Sequence, residues 1–386
     1  MRHALLLPGP FVASVTPAAA ELAINLPPPA TAIARDIYDL HTTVMWICAA
    51  IFVVVFVPMF WAITRHRKSL GHRAARFHEH PWLEVTWTVI PVLILIAMAL
   101  PATRTVLAMK NTEAADLTIK VTGYQWKWEY EYLGRDVRYF SVLATPQDAL
   151  GPAPGKPPHY LLEVDRPLVV PVGRKVRLVL TSADVIHAWW IPAFGVKQDA
   201  IPGFIRDTWF AVDTPGTYRG QCAELCGTGH AYMPIVVEAL PPEQFAAWLA
   251  AQQQQQEAAR AHDLAASGKN WTRDELLARG ATVYASHCSA CHGTAGRGIP
   301  GAFPALSGSP VATGPLAEHL ARVMDGKPGT AMAAFAGQLS DLEIAAVVSY
   351  ERNSWQNHTG DLVQPAEVAA RRSAALAATP TGKARP

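Results

Sequence analysis

The chain has 386 residues, with 33 Lys and Arg against 31 Asp and Glu and a formal charge of +2. That length provides two or three domains of ordinary size, and so even a charge balance leaves no basic face for nucleic acid, which is excluded as a partner. Half of the residues are hydrophobic and 17% are charged, a balance that fits a few membrane spans attached to soluble domains.

Residues 1–20, MRHALLLPGPFVASVTPAAA, have a basic start, an apolar middle and a small-residue end, the pattern of a signal peptide. Residues 43–63 carry no charge and are long enough to cross a hydrocarbon core of roughly 30 Å. A second apolar run, 85–102, tolerates Pro91 as membrane helices do. Together they predict a transmembrane helical hairpin over 40–105. Arg65, Arg67, Lys68, Arg73 and Arg76 lie between the two runs, so the positive-inside rule puts this loop in the cytoplasm and the rest of the chain on the outer face. Cys48, in the first run, reads as a small buried thiol used for packing.

Residues 106–248 read as an all-β domain, with strand-like segments LTIKVTGYQWKWEYEY, YLLEV, LVVPVGRKVRLVLTS, TWFAV, GTYRGQC and MPIVVEAL between Pro, Gly and Asp turns. The glutamine run within 249–271 marks a linker, either a helical spacer or a flexible one. Residues 272–358 predict a small all-α domain that starts at Thr272, where Glu275 completes a capping box, and ends with SDLEIAAVVSYERN as an amphipathic helix. The Ala, Pro and Thr-rich stretch 359–386 reads as a disordered tail.

Four of the five cysteines fall in two short segments, GQCAELCGTGHAYMP and CSACH. The first offers Cys222, the Glu224 carbonyl, Cys226, His230 and Met233, and His187 in SADVIHAWW adds a second imidazole. Cys222 and Cys226 alone would suit a disulfide or half of a zinc site. With thiolate, imidazole and thioether together the set is soft and suits copper. Two thiolates exceed the need of a single blue-copper ion and suit a pair of bridged copper ions, with a histidine on each and Met233 and the Glu224 carbonyl as weaker ligands.

WTVIPVLILIAMALPATR, GYQWKWEYEY, LLEVDRPLVVPVG, HAWWIPAFGVKQDAIPG and GQCAELCGTGHAYMPIVVE together resemble subunit II of haem-copper cytochrome c oxidase over residues 80–250. The resemblance implies a cupredoxin fold, a Greek-key β-sandwich, carrying the dinuclear CuA centre on His187, Cys222, Glu224, Cys226, His230 and Met233. It further implies electron arrival at Trp126, a magnesium ion beside the Glu224 side chain at the boundary with catalytic subunit I, and a proton-channel mouth at Glu84. The sequence departs from the family at Ala183, where many relatives place an acid before Asp184, and in a segment from Leu143 to His159 that reads as inserted. Both departures bear on the docking of a soluble cytochrome c.

In CSACH, Cys288 and Cys291 supply thiols for thioethers to haem vinyl groups, and His292 is placed to reach the iron. Met332 is the expected second axial ligand, because Met324 sits in the helical run LARVMDG where core packing competes. Residues 275–356 resemble a class I cytochrome c, on the strength of CSACHG and the Met332 segment. Covalent haem attachment outside the cytoplasm agrees with the topology drawn from the arginine loop.

The combined expectation is a bacterial inner-membrane, multi-pass subunit with both redox domains on the periplasmic side. It carries CuA and haem c and partners subunit I and subunit III of an oxidase. Its donor is a soluble or membrane cytochrome c or the cytochrome bc complex. No histidine cluster lies in the two apolar runs to hold an oxygen-reducing centre, so dioxygen chemistry belongs to a partner. The alternatives are the corresponding subunit of a CuA-type nitric oxide reductase and a stand-alone copper-binding protein. Quinol-oxidising relatives lack the copper ligands.

Overall fold

The computed structural model describes residues 25–378 apart from 74–77, 147–148, 152–154, 302, 328–329 and 331. The expected signal peptide over 1–20 lies outside the described residues.

Two long helices come first, α1 at Ala32–Arg65 and α2 at Pro81–Lys110. At 1.5 Å per residue they measure about 51 and about 45 Å, more than a hydrocarbon core needs. Trp46, Val54, Trp87, Leu93 and Leu95 lie exposed along them, and apolar side chains in such numbers are stable only in apolar surroundings. Both helices are long and apolar enough to cross a membrane. Cys48 was expected to be buried, but it lies exposed on α1 among these apolar side chains.

The β-domain has ten strands: β1 Leu117–Tyr124, β2 Lys127–Tyr132, β3 Val137–Ser141, β4 Leu168–Pro171, β5 Val176–Ser182, β6 His187–Ile191, β7 Val196–Ala200, β8 Arg206–Phe210, β9 Gly216–Cys222 and β10 Pro234–Leu240. They form two five-stranded sheets, ordered β3-β2-β1-β5-β8 and β4-β10-β9-β6-β7. In β5 every second residue, Val176, Leu178 and Leu180, is fully buried, as the pleat of a half-buried strand dictates. Trp128, Tyr130, Trp189, Phe194 and Phe210 fill the space between the sheets with the aliphatic residues of β1, β5 and β10. Each fully buried aliphatic side chain contributes about 1.5–3 kcal/mol. The parallel pairs β1–β5 and β4–β10 cannot be joined by tight hairpins, and the resulting crossovers give the sandwich its Greek-key character.

YLLEV does not form the expected strand. His159 and Leu161 adopt positive φ angles of 59° and 63°, which an extended run excludes, and only Val164 pairs, as a single bridge to Leu143. The segment LTIKVTGYQWKWEYEY is two strands, because the chain reverses at Gln125 and Trp126 with Tyr124 paired to Lys127.

The glutamine run is helical. Helix α3, Pro242–Ser267, begins before the expected linker and lies along both neighbouring domains. Gln253 and Gln256 donate to the carbonyls of Arg135 and Arg138 at 2.7 and 2.6 Å. At its other end Asp263 accepts from the backbone N–H groups of Asp341 and Leu342. These side chains give the helix partners that polar low complexity alone does not disclose.

Six helices follow: α4 Arg273–His287, α5 Ser289–His292, α6 Pro310–Thr313, α7 Leu316–Asp325, α8 Asp341–Asn353 and α9 Pro365–Ala378. The capping box at Thr272 and Glu275 is formed, and Ser340 with Glu343 makes a second at the start of α8. Helix α8 was expected to be amphipathic and final. It is instead the central helix, with Ile344, Ala345, Ala346, Val347 and Val348 all buried. Even Arg352 is 2% exposed, and its guanidinium is satisfied by the carbonyls of Ala312 and Gly314 and by Asp361.

The expected disordered tail is corrected by α9. Its alanines favour helix, Val363 and Val368 are buried in the same cluster as Ile344 and Val348, and Arg371 and Arg372 pair with Asp325 and Asp341. Composition resembling a linker becomes structure once those partners exist; residues 379–386 lie outside the described ones.

Candidate functional site

The pairing of β6 with β9, in which Trp189 faces Cys222, sets the first half of the site. It brings His187, at the start of β6, beside the loop that leaves β9. That loop runs from Cys222 to Met233 and is closed by the pairing of Gln221 with Pro234. A short 3-10 turn at His230–Tyr232 folds His230 and Met233 back over it.

The donor atoms converge. Cys222 Sγ lies 3.9 Å from Cys226 Sγ and 4.0 Å from His187 Nδ1. Cys226 Sγ lies 3.4 Å from His230 Nδ1 and 3.5 Å from Met233 Sδ. The Glu224 carbonyl is 3.3 Å from Cys222 Sγ. Both thiols are free, with their sulfurs well beyond the roughly 2.05 Å of a disulfide. Six soft or carbonyl donors around one point, four of them on nearly or fully buried residues (His187, Cys222, Cys226, Met233), suit copper and offer one imidazole to each side of a thiolate pair.

The two sulfurs titrate as a pair. Cys222 is held well below the ordinary thiol range, first by the hydrogen bond from Cys226 and then, against burial, by His187 and by backbone hydrogen bonding, while Cys226 is pushed up by the bond to Cys222 and by burial. A cation held between the two sulfurs would offset the repulsion that two adjacent thiolates create.

Several neighbours fix the ligands, and the sequence reading assigned most of them no part in the site. Asp184 Oδ1 lies 2.8 Å from His187 Nε2, which leaves Nδ1 facing the sulfurs. Burial alone would raise the Asp184 carboxyl, but the bonds from His187, Gln125 and Val185 outweigh it and hold it low. Burial likewise works against charged His187, and the bonds to Asp184 and Cys222 outweigh that too, so its pKa is raised. Gln125 Nε2 and Trp126 Nε1 both donate to the Cys226 carbonyl, at 2.8 and 3.1 Å. Trp128 Nε1 donates to the Met233 carbonyl at 3.3 Å. A Cβ on Gly229 would meet the Trp126 ring at 2.3 Å, and one on Gly123 would meet His187 Cδ2 at 2.7 Å. Glycine at these two places lets the indole and the imidazole lie flat against the backbone.

The residues expected to attach haem lie at α4 and α5. Cys288 ends α4, and Cys291 and His292 lie one turn on, in α5. His292 is buried, and its Nδ1 lies 2.9 Å from the Pro304 carbonyl, so that Nε2 is the nitrogen left for iron. Burial raises the thiols of Cys288 and Cys291. Met332 lies half-buried between α7 and α8, whereas Met324 is buried in α7 with Val283 and Tyr284. The fit to a covalently held haem rests on this C-x-x-C-H turn with its oriented imidazole.

Glu84 is exposed in the first turn of α2 and accepts from the His80 N–H at 3.1 Å, a helix-capping contact. The Glu224 side chain is exposed. Among the described residues, the group of three or more His, Cys, Asp or Glu donors within 4.8 Å of one another is His187, Cys222 and Cys226.

Residues 117–240 match the family model described as cytochrome c oxidase subunit II, periplasmic domain, and residues 19–105 match its transmembrane domain. The chain is 38% identical over 235 residues to cytochrome c oxidase subunit 2 of Cereibacter sphaeroides, covering 58% of this chain and 78% of that one. The chain belongs to the cytochrome c oxidase subunit II family. It is 36% identical over 227 residues to a probable cytochrome c oxidase subunit 2 of Rickettsia felis, covering 59% of this chain and 71% of the relative. Among solved structures it is similar to the periplasmic domain of subunit II of cytochrome oxidase from Bradyrhizobium japonicum, at 45% identity and a TM-score of 0.34 over 37% of this chain and 98% of that one. Residues 275–350 match a model described as cytochrome c oxidase, cbb3-type, subunit III. This subunit II chain thus joins its cupredoxin domain to a cytochrome c domain, for which the class I resemblance is narrowed to the cbb3-type description.

Proposed function

We propose that this chain is the electron-input subunit of a haem-copper terminal oxidase, with the sulfur and imidazole cluster at Cys222 and Cys226 as its CuA site and Cys288, Cys291, His292 and Met332 as its haem c site. The observation that carries the reading is the convergence of His187, Cys222, Glu224, Cys226, His230 and Met233 on one point in a chain that also holds a C-x-x-C-H turn. Bound there, haem and the dinuclear copper centre would supply one-electron transfer toward a catalytic subunit I that reduces dioxygen.

The protein's own part is to hold ligands still. Asp184 orients His187, Gln125 and Trp126 grip the Cys226 carbonyl, and Trp128 grips that of Met233, so little has to move when charge arrives. Trp126 is the residue through which electrons reach the cluster, since its ring nitrogen bonds the backbone of a ligand. Glu84 would stand at a proton channel shared with subunit I. The arginine loop faces the cytoplasm and both redox domains face the periplasm of a bacterial inner membrane. Subunit III completes the complex, its donor is a cytochrome c or the cytochrome bc complex, and the complex couples oxygen reduction to proton translocation.

The complex purified through this chain is expected to consume dioxygen when supplied with reduced cytochrome c. Uptake of nitric oxide without dioxygen would move the assignment to a CuA-type nitric oxide reductase. Isolation without a membrane partner would leave a stand-alone copper-binding protein.

A further inference from the structure

One turn of the β-domain touches the C-terminal domain at two places, Phe303 and the segment from Phe335 to Gln338. Trp126 and Lys127 sit at the reversal between β1 and β2. The Trp126 ring meets Phe303 edge-on, with centroids 6.2 Å apart, and Phe303 directly precedes Pro304, whose carbonyl orients His292. Lys127 donates through Nζ to Gln338 Oε1 and lies over the ring of Phe335, 5.5 Å from its centroid. Phe335 and Gln338 follow Met332 by a few residues. The Phe140 and Tyr124 rings of the β-domain enclose the same ammonium, at 4.4 and 5.9 Å.

The placement of Lys127 needs a reason. A half-buried ammonium loses hydration, and burial pushes this one down to about 8. A surface lysine at a hairpin turn is ordinarily free to extend into water. Here it is held among three rings and an amide, two of whose four partners belong to the other domain. Helix α3 braces the same arrangement from behind, with Gln253 and Gln256 on the β-domain and Asp263 on the start of α8.

We propose that the turn at Trp126 and Lys127 is the seat on which the chain's own cytochrome domain is docked, with Lys127 as the positioning residue and Phe303 as the ring that covers Trp126. This rests on the functional reading above. In that reading the contact carries one electron from ferrous iron, which becomes ferric, to the oxidised copper pair, which is reduced by one electron. The edge of the β-domain around Trp126 is therefore occupied from within, and a separate donor protein docks on the C-terminal domain instead.

The test uses the intact membrane complex and its Lys127→Ala and Lys127→Arg variants. Amide hydrogen exchange reads docking directly, at the β1–β2 turn and at residues 299–306. Transient absorption after photoreduction of the haem reads electron transfer to copper. Loss of the cation–π and hydrogen-bond contacts should lower exchange protection about tenfold or more in Lys127→Ala and slow the transfer, and Lys127→Arg should restore much of both. Unchanged protection in Lys127→Ala would overturn the proposal. Should that variant lose haem or copper, Gln338→Ala and Phe335→Leu take its place from the opposite surface, and protection unaltered in both overturns it equally. Absence of the haem or copper signals from the unsubstituted complex is a separate outcome, which refutes the functional reading.

Discussion

Replacement of Cys226 by serine is expected to abolish the dicopper signature while leaving the haem band in place. Cys226 Sγ is the atom that the others share: it lies 3.9 Å from Cys222 Sγ, 3.4 Å from His230 Nδ1 and 3.5 Å from Met233 Sδ. A serine hydroxyl is a harder, shorter donor and does not bridge as a thiolate does. His230 and Met233 would keep their places, since the 3-10 turn and Trp128 hold them, but without a sulfur between them and Cys222. At most a single ion should remain, bound by Cys222 and His187, with the one-ion EPR pattern of a mononuclear thiolate site. The haem residues contribute no atom to this cluster, so the optical spectrum of the cytochrome domain is expected to persist. Retention of a mixed-valence pattern in the serine variant would show that Cys226 does not bridge, and loss of both spectra would show that the two domains fold as one unit.

The complementary substitution is His292→Ala. Two thioethers from Cys288 and Cys291 would still tether the haem, so haem content should be retained. The iron would lose the one imidazole that the protein presents, whose Nδ1 is fixed by the Pro304 carbonyl, and a low-spin, six-coordinate spectrum should give way to a high-spin one. Electron delivery to copper should fall by orders of magnitude while the copper EPR pattern stays. Absorption spectra of reduced and oxidised protein check the first part, and a low-spin spectrum in the alanine variant would mean that His292 is not the ligand.

Much of this site was legible because its donors are local. Cys222, Glu224, Cys226, His230 and Met233 lie in a single loop, and His187 ends up beside them because β6 and β9 pair. The residues that orient those donors were not legible as such. Asp184 had been singled out only in connection with docking, and Gln125 not at all; both reach the cluster through a strand register that spacing does not reveal. The same limit applied between domains. Nothing in the sequence around Trp126 and Lys127 points to Phe303 or Gln338, and the contacts of Trp126 with Phe303 and of Lys127 with Gln338 form only where two separately coded domains come together. Composition misled at the C-terminus, where Ala-rich sequence resembles a linker but supplies a good helix to a waiting apolar surface at α8.

Topology was read with more success from pattern than from propensity. The two apolar runs announced α1 and α2, and strand-like segments set off by turn residues announced β5 and β10. YLLEV carried strand propensity without the backbone angles for it, since propensity yields to the turn that tertiary structure imposes.

The central claim is that one polypeptide holds a dinuclear copper centre and a covalently bound haem. Metal and haem analysis of the full chain in its membrane complex, corrected for the partner subunit's own metals, with EPR on the same sample, addresses it directly. The account predicts copper and haem c in a ratio of about two to one from this chain, together with a mixed-valence spectrum in which the unpaired electron is shared by both copper nuclei. One copper per haem with a mononuclear spectrum, or a haem that is extracted by acid solvent, would contradict it.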